Sequence, residues 1–411
     1  MVPGLEWAML APLLLACVLT LSGPDRELQA ALAKAGPNAA SLRRALSRCR
    51  PEWRDDLRFL IVNMPDRDLR TYSGERLLDN VKLAREAFGS APWRGRVPAD
   101  VYRNAVLPYA NVTEERDDWR RMLRDRYQAK ALELGDPLKV ALWMNENLFA
   151  DFGVKYHPTK RHAPDQSPTE TIRLKFASCT GLSILLVDAL RSVGVPARLA
   201  GVYLWQDRSG NHTWVEVWDG SGWRYLGAAE PGPPDSTWFS EKAAKADSAR
   251  REFAVWAVRL ERGRETFPVS WRRDPGDIPA ENVTERYQRV QARNLGLVPE
   301  PDEFRLLEGT FVADEQTGVV AGGGEAATRL AGDVARELGA RVAESGSVRV
   351  RLDPSKKGGC EMRVSVEGVE IRFDGPSGAD TALAWIRALR SRPEAGKAIV
   401  CLPCCVARRG G

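Results

Sequence analysis

Cys179 opens an apolar-striped segment, and His212 begins the strand-like run Asn211-His212-Thr213-Trp214. A thiol at a helix start and an imidazole on a following strand are the two parts that nucleophilic acyl transfer needs. Unpaired N–H groups and the positive end of the helix dipole stabilise a thiolate placed there. That lowers the thiol pKa toward neutrality. A neighbouring imidazole takes the thiol proton and later delivers it to the leaving amine. The Cys179 N–H is itself placed to stabilise an oxyanion. A third polar group is expected to orient the imidazole.

The elements around the pair explain how it would meet. In SCTGLSILLVDALRSVG, the residues Leu182, Leu185, Leu186, Ala189, Leu190 and Val193 fall on one helical face. Ser178 is a candidate N-cap. Gly194 ends the helix and Pro196 follows it. Three strand-like runs come next, Ala197 to Trp205, His212 to Trp218 and Trp223 to Ala228. The segments Asp207-Arg208-Ser209-Gly210 and Asp219-Gly220-Ser221-Gly222 read as hairpin turns. A helix followed by an antiparallel sheet brings a strand start back beside the helix start.

Along the rest of the chain, residues 1–23 form an apolar leader and 24–130 read as a helical region. The candidate core spans 131–295, with a linker at 296–304 and a small α/β domain at 305–411. The stretch from Ala8 to Leu21 is apolar apart from Thr20. Its length matches a signal-peptide core and is short for a membrane span. A cleaved signal, a lipoprotein box ending at Cys17 and an uncleaved anchor all remain open. Each predicts an exported protein whose membrane contact is confined to this segment.

Composition narrows the function classes. A net charge of +5 over 411 residues is small and mixed along the chain, so nucleic acid is not an expected partner. Arginine pairs such as Arg120-Arg121 and Arg272-Arg273 read as solvated helix and loop faces. In an exported chain, cysteines other than Cys179 would tend to pair. The tail Cys401-Leu402-Pro403-Cys404-Cys405 lacks a second ligand pair for a metal. It reads as a frayed end or a local disulfide.

The run from Cys179 to Pro231 resembles the core of the transglutaminase-like superfamily. That pattern is a helix-opening Cys, then Arg-x-x-Gly-[Ile/Val]-Pro-Ala-Arg, then His-x-Trp-x-Glu-Val, then Gly-Trp and an acidic residue. The matching positions are Cys179, Arg191, Gly194 to Arg198, His212, Trp214, Glu216, Val217, Gly222 and Trp223. The blocks VNMPDRDL, VLPYANV, PDQSP and GAAEP are similar to exported bacterial members. The resemblance implies an α+β, papain-like fold and amide chemistry through a thioester, with no cofactor or metal. Its substrates would be protein, peptide or peptidoglycan-type amides.

One position departs from the family. The usual Asp, four residues after the Trp of Gly-Trp, is Gly227 here. The nearest downstream acid, Glu230, takes the orienting role in this reading. Asp219 reads as a solvent-facing turn residue. Glu216 shares the His212 face but lies ~13 Å along the strand. Gln166 is a candidate oxyanion donor or loop cap, and Trp205 and Trp214 are candidate groove walls or sheet packing. The expected activity is a cysteine amide hydrolase or acyltransferase. The alternatives are a catalytically degenerate binding module and a true cross-linking transglutaminase. The last domain more weakly resembles the accessory α/β domain of some glycosidases, which implies a structural or glycan-proximal role.

Overall fold

In the computed structural model, residues 23–271, 278–344, 348–354, 358–390 and 400–410 are described. The apolar leader and the Arg272-Arg273 pair lie outside them. Among the described residues, no helix is long and apolar enough to cross a membrane. The architecture is α+β, and the chain divides into two compact units. The first takes in residues up to Gly201, then His212–Pro234 and Trp256–Glu281. The second takes in Val202–Asn211, Asp235–Val255 and residues from Asn282 onward.

The first unit holds two apolar clusters. One lies among the N-terminal helices Gly23–Lys34, Ala39–Arg48, Arg54–Asn63 and Gly74–Ser90, around Leu42, Leu57, Leu60 and Val81. Ser73 caps the last of these by accepting from the Glu75 N–H. The other cluster gathers the helices Trp119–Leu134, Pro137–Phe152 and Cys179–Ser192 against a sheet. Leu182, Leu185, Leu186, Ala189 and Leu190 are all buried, as their spacing predicts. Each leucine contributes roughly 1.5–3 kcal/mol relative to exposure.

The sheet has the order β5-β4-β3-β6-β7. Here β3 is Ala197–Val202, β4 is His212–Trp218 and β5 is Trp223–Leu226. Strands β6 and β7 are Val255–Val258 and Ala280–Asn282. The β4–β5 pairing is antiparallel and sets Val215 opposite Leu226 and Trp218 opposite Trp223. A pair of two-residue strands, β1 (Lys155–Tyr156) and β2 (Phe176–Ala177), runs parallel just before the Cys179 helix.

Long polar bonds tie the N-terminal helices to the far end of the Cys179 helix. The Trp93 indole donates to Gly194 O at 2.8 Å. Arg120 donates to Arg191 O (2.9 Å), Pro108 O (2.7 Å), Val106 O (3.0 Å) and the Asn80 amide oxygen (2.7 Å). Arg120 is therefore buried rather than solvated. It turns inward from the first turn of its helix because five acceptors converge on it, from Asn80, the consecutive carbonyls of Val106 to Pro108 and Arg191. Arg121, its neighbour, is exposed and pairs with Asp79.

In the second unit, the strands β8 (Glu303–Ala313), β9 (Gly318–Ala321), β10 (Arg341–Val342), β11 (Val348–Asp353), β12 (Cys360–Val364), β13 (Val369–Phe373) and β14 (Val400–Arg409) form a sheet in the order β10-β9-β11-β13-β12-β14-β8. The helices Glu325–Leu338 and Gly375–Leu389 bury Leu330, Val334, Trp385 and Ile386 against this sheet. The tail is neither frayed nor disulfide-bonded. Val400–Arg409 forms β14, paired antiparallel with β12 (Cys360–Val364) and β8 (Glu303–Ala313). Pro403, which has no N–H to give the ladder, is accommodated by a register shift between Pro403 and Cys405. Cys404 and Cys405 are free thiols, buried in the sheet. Thr266 makes an isolated bridge to Pro279.

Candidate active site

The Cys179 helix begins at Cys179 itself, with Ser178 in extended conformation at the N-cap position. Ser178 does not cap the helix; its hydroxyl donates instead to Pro164 O at 2.8 Å. The first-turn N–H groups are thus left without a side-chain cap, where a thiolate or oxyanion gains most from them. The thiol is free and half-buried. Gly181, in the same turn, allows close packing. A Cβ there would stand 2.8 Å from the Ala177 Cβ and 3.5 Å from the Gln166 Cβ.

His212 is the first residue of β4. The residues that follow the two candidates in sequence meet directly. Thr213 donates through its hydroxyl to Thr180 Oγ1 at 2.9 Å. Ser183, one turn on, donates to Thr213 O at 3.3 Å. These contacts seat the start of β4 against the start of the Cys179 helix. On the other side, β3 lies so close that a Cβ on Gly201 would stand 2.6 Å from His212 O. His212 is 8% exposed. Burial pushes its imidazole pKa down to about 4, so it is neutral at pH 7 and in the form that accepts a proton.

Two nearby carboxylates are held by arginines. Glu216 is buried and takes Arg198 Nε at 2.8 Å, while Arg198 also reaches Glu281 at 2.7 Å and stacks over the Trp223 ring. Asp219 is not solvent-facing. It accepts from the Ser221 and Gly222 N–H groups at 2.7 and 2.8 Å and pairs with Arg224. Burial opposes its charge, yet Arg224 and the turn N–H groups hold its pKa at about 2.

Glu230 behaves differently. Its residue is exposed, yet its carboxyl folds back onto Gly227. A Cβ built at Gly227 would fall onto Glu230 Oε2 and stand 2.8 Å from its Cδ. Extending the Val215–Leu226 register one residue beyond the end of β5 would set position 227 opposite Trp214, which shares its sheet face with His212. The carboxylate thus occupies the space that a side chain at position 227 would enter.

The remaining candidates are buried side chains. Gln166 is fully buried and donates from Nε2 to Phe176 O at 3.0 Å, tying its loop to β2. Its Nε2 is thus engaged by a backbone carbonyl. Trp214 is also fully buried and packs the sheet, its ring centroid 5.8 Å from that of His212. Trp205 belongs to the second unit, where it is 3% exposed and packs near Phe239 and the exposed Trp238. Among the described residues, no three His, Cys, Asp or Glu side chains converge as a metal-binding set.

Sequence reading missed Asn145. This buried side chain, from the helix Pro137–Phe152, bonds the backbone of residues 227, 229 and 230. Nothing local signals it, since its partners lie more than eighty positions away.

Residues 128–228 match the transglutaminase-like superfamily, so this segment carries that family's core. A search of curated proteins found no match. Among solved structures, a Cytophaga hutchinsonii protein provisionally assigned as a cysteine protease is similar over 27% of this chain and 39% of its own, at 19% identity and TM-score 0.22. A family-20 exo-β-N-acetylglucosaminidase from Vibrio harveyi, with N-acetylglucosamine bound, is similar over 51% of this chain and 35% of its own, at 17% identity and TM-score 0.25. The chain thus spans well under half the length of either structure.

Proposed function

We propose that the first unit is a cysteine amide hydrolase or acyltransferase. Cys179 is the nucleophile, His212 the acid and base, and Glu230 the group that orients His212. The observation that carries this reading is the Thr213–Thr180 hydrogen bond, which seats the histidine strand against the uncapped start of the cysteine helix.

The steps balance without a cofactor. The neutral imidazole takes the thiol proton as sulfur attacks the amide carbonyl carbon. The oxyanion that forms is met by the first-turn N–H groups. The tetrahedral intermediate collapses, the C–N bond breaks, and the imidazolium gives its proton to the leaving amine. A thioester remains on Cys179. Water attacks it with His212 as base, the C–S bond breaks, and a carboxylic acid leaves. Hydrolysis is favoured over transfer because no second amine site marks itself in the sequence. The substrate class is a peptide, protein or peptidoglycan-type amide.

The test is intact-protein mass spectrometry after incubation with a mixed library of peptide amides and peptidoglycan stem peptides. Expected is an acyl adduct on Cys179 that hydroxylamine removes and that Cys179→Ala abolishes. Absence of adduct, together with equal product from wild type and Cys179→Ala, would leave a non-catalytic binding module.

A further inference from the structure

The segment after β5 is built as a device for delivering a carboxylate. Glu230 N donates to Gly227 O at 3.2 Å, closing a four-residue turn. Ala229, third in that turn, has φ 63°, a left-handed conformation that L side chains resist. Free in solution, an Ala-Ala pair would rarely hold this shape. Here one side chain holds it. Asn145 Nδ2 donates to Gly227 O at 2.9 Å and to Glu230 O at 3.2 Å. Asn145 Oδ1 accepts from the Ala229 N–H at 2.9 Å. Asn145 is 2% exposed, so these bonds do not compete with water.

The turn also explains Gly227. Glu230 Cβ would stand 3.1 Å from a Cβ at 227, and its carboxyl closer still. Any side chain there would expel the carboxylate. Glycine at 227 and glutamate at 230 are therefore one arrangement: the acid has moved three residues along the chain, and the turn returns it to the same place.

We infer that Asn145 is the positioning residue of this site, holding the Gly227–Glu230 turn so that the Glu230 carboxylate lies on the His212 face of the sheet. The inference rests on the reading of Cys179, His212 and Glu230 given above. Asn145 touches no reacting atom; it acts through Glu230.

The experiment measures the rate of iodoacetamide alkylation of Cys179 at pH 7 in two backgrounds. In the wild-type chain, Asn145→Ala and Glu230→Ala are each expected to slow the reaction on the order of 10- to 100-fold, because a misplacement of about 1 Å is enough to do so. The second background, Gly227→Asp with Glu230→Ala, supplies the carboxylate directly from position 227. It is expected to recover most of the wild-type rate and to make Asn145→Ala nearly silent. Asn145→Asp keeps the acceptor for Ala229 but loses both donors. It serves if Asn145→Ala melts out, and is expected to behave the same way.

Equal losses in both backgrounds would show that Asn145 merely supports the fold and would overturn the inference. So would a wild-type rate in Asn145→Ala or in Glu230→Ala, or a swapped chain no faster than Glu230→Ala. A wild-type rate that does not depend on His212 would overturn both the inference and the proposed function; dependence on His212 without dependence on Asn145 would overturn the inference alone.

Discussion

Thr213 donates a hydrogen bond to Thr180 at 2.9 Å, joining the residue after His212 to the residue after Cys179. Both threonines are buried, 2% exposed each. Thr213→Val removes the donor while keeping the shape. A buried hydroxyl pair of this kind contributes about 1 kcal/mol net. The variant should lose that much stability by urea denaturation and should also react more slowly at Cys179. Unchanged reactivity would mean that this bond does not set the approach of strand to helix.

Gly201 controls the other side of the histidine strand. Its missing Cβ leaves room for His212 O, for Thr213 Cγ2 at 2.8 Å and for Phe267 Cζ at 3.0 Å. Two of these neighbours are backbone and ring, which give way poorly. Gly201→Ala should cost about 1–3 kcal/mol by overpacking. It should also push the start of β4 away from β3, and Cys179 alkylation should fall along with the melting temperature.

Burial of His212 makes a pH signature. Its folded pKa, about 4, lies below the ordinary 6.5. Above pH 6.5 neither state binds the proton and there is no contribution. As pH falls from 6.5 toward 4, the unfolded chain takes up a proton that the native chain refuses, and stability drops. The loss reaches roughly 3 kcal/mol by pH 4. Denaturant midpoints for wild type and His212→Gln should diverge across this window, with the variant keeping more of its pH 7 stability. Parallel curves would mean the imidazole is better solvated than its 8% exposure indicates.

Arg120 holds the N-terminal helices to the end of the cysteine helix. Its guanidinium is buried, and burial lowers its pKa to about 9 while Asp188 pulls the other way. Arg120→Met strands the carbonyls of Val106, Pro108 and Arg191. Each carbonyl left unpaired costs about 1–3 kcal/mol. Chemical denaturation should show this, with Arg121→Met as a near-neutral control.

Local signals made the cysteine helix and its strands legible in sequence. The apolar spacing from Leu182 to Leu190 matches one helical face, and the two Asp-initiated turns separate the strands. The family pattern then distinguished Cys179 and His212 from other residues of their type. Contacts between distant positions were not legible. The burial of Arg120, Asn145 and Gln166 depends on backbone carbonyls presented by other segments, which carry no sequence label. The tail strand was hidden by Pro403, which usually argues against a sheet interior. Gly227 looked like a lost acid because one-dimensional alignment cannot show a turn that brings Glu230 back over it.

The central claim is that Cys179 and His212 act as one unit. The most direct measurement is the iodoacetamide labelling rate of Cys179 at pH 7, read from its peptide by mass spectrometry. The account predicts a rate at least about tenfold above that of a free thiol, falling to the free-thiol rate in His212→Ala. A Cys179 that reacts no faster than a free thiol, with a rate unchanged by His212→Ala, would contradict it.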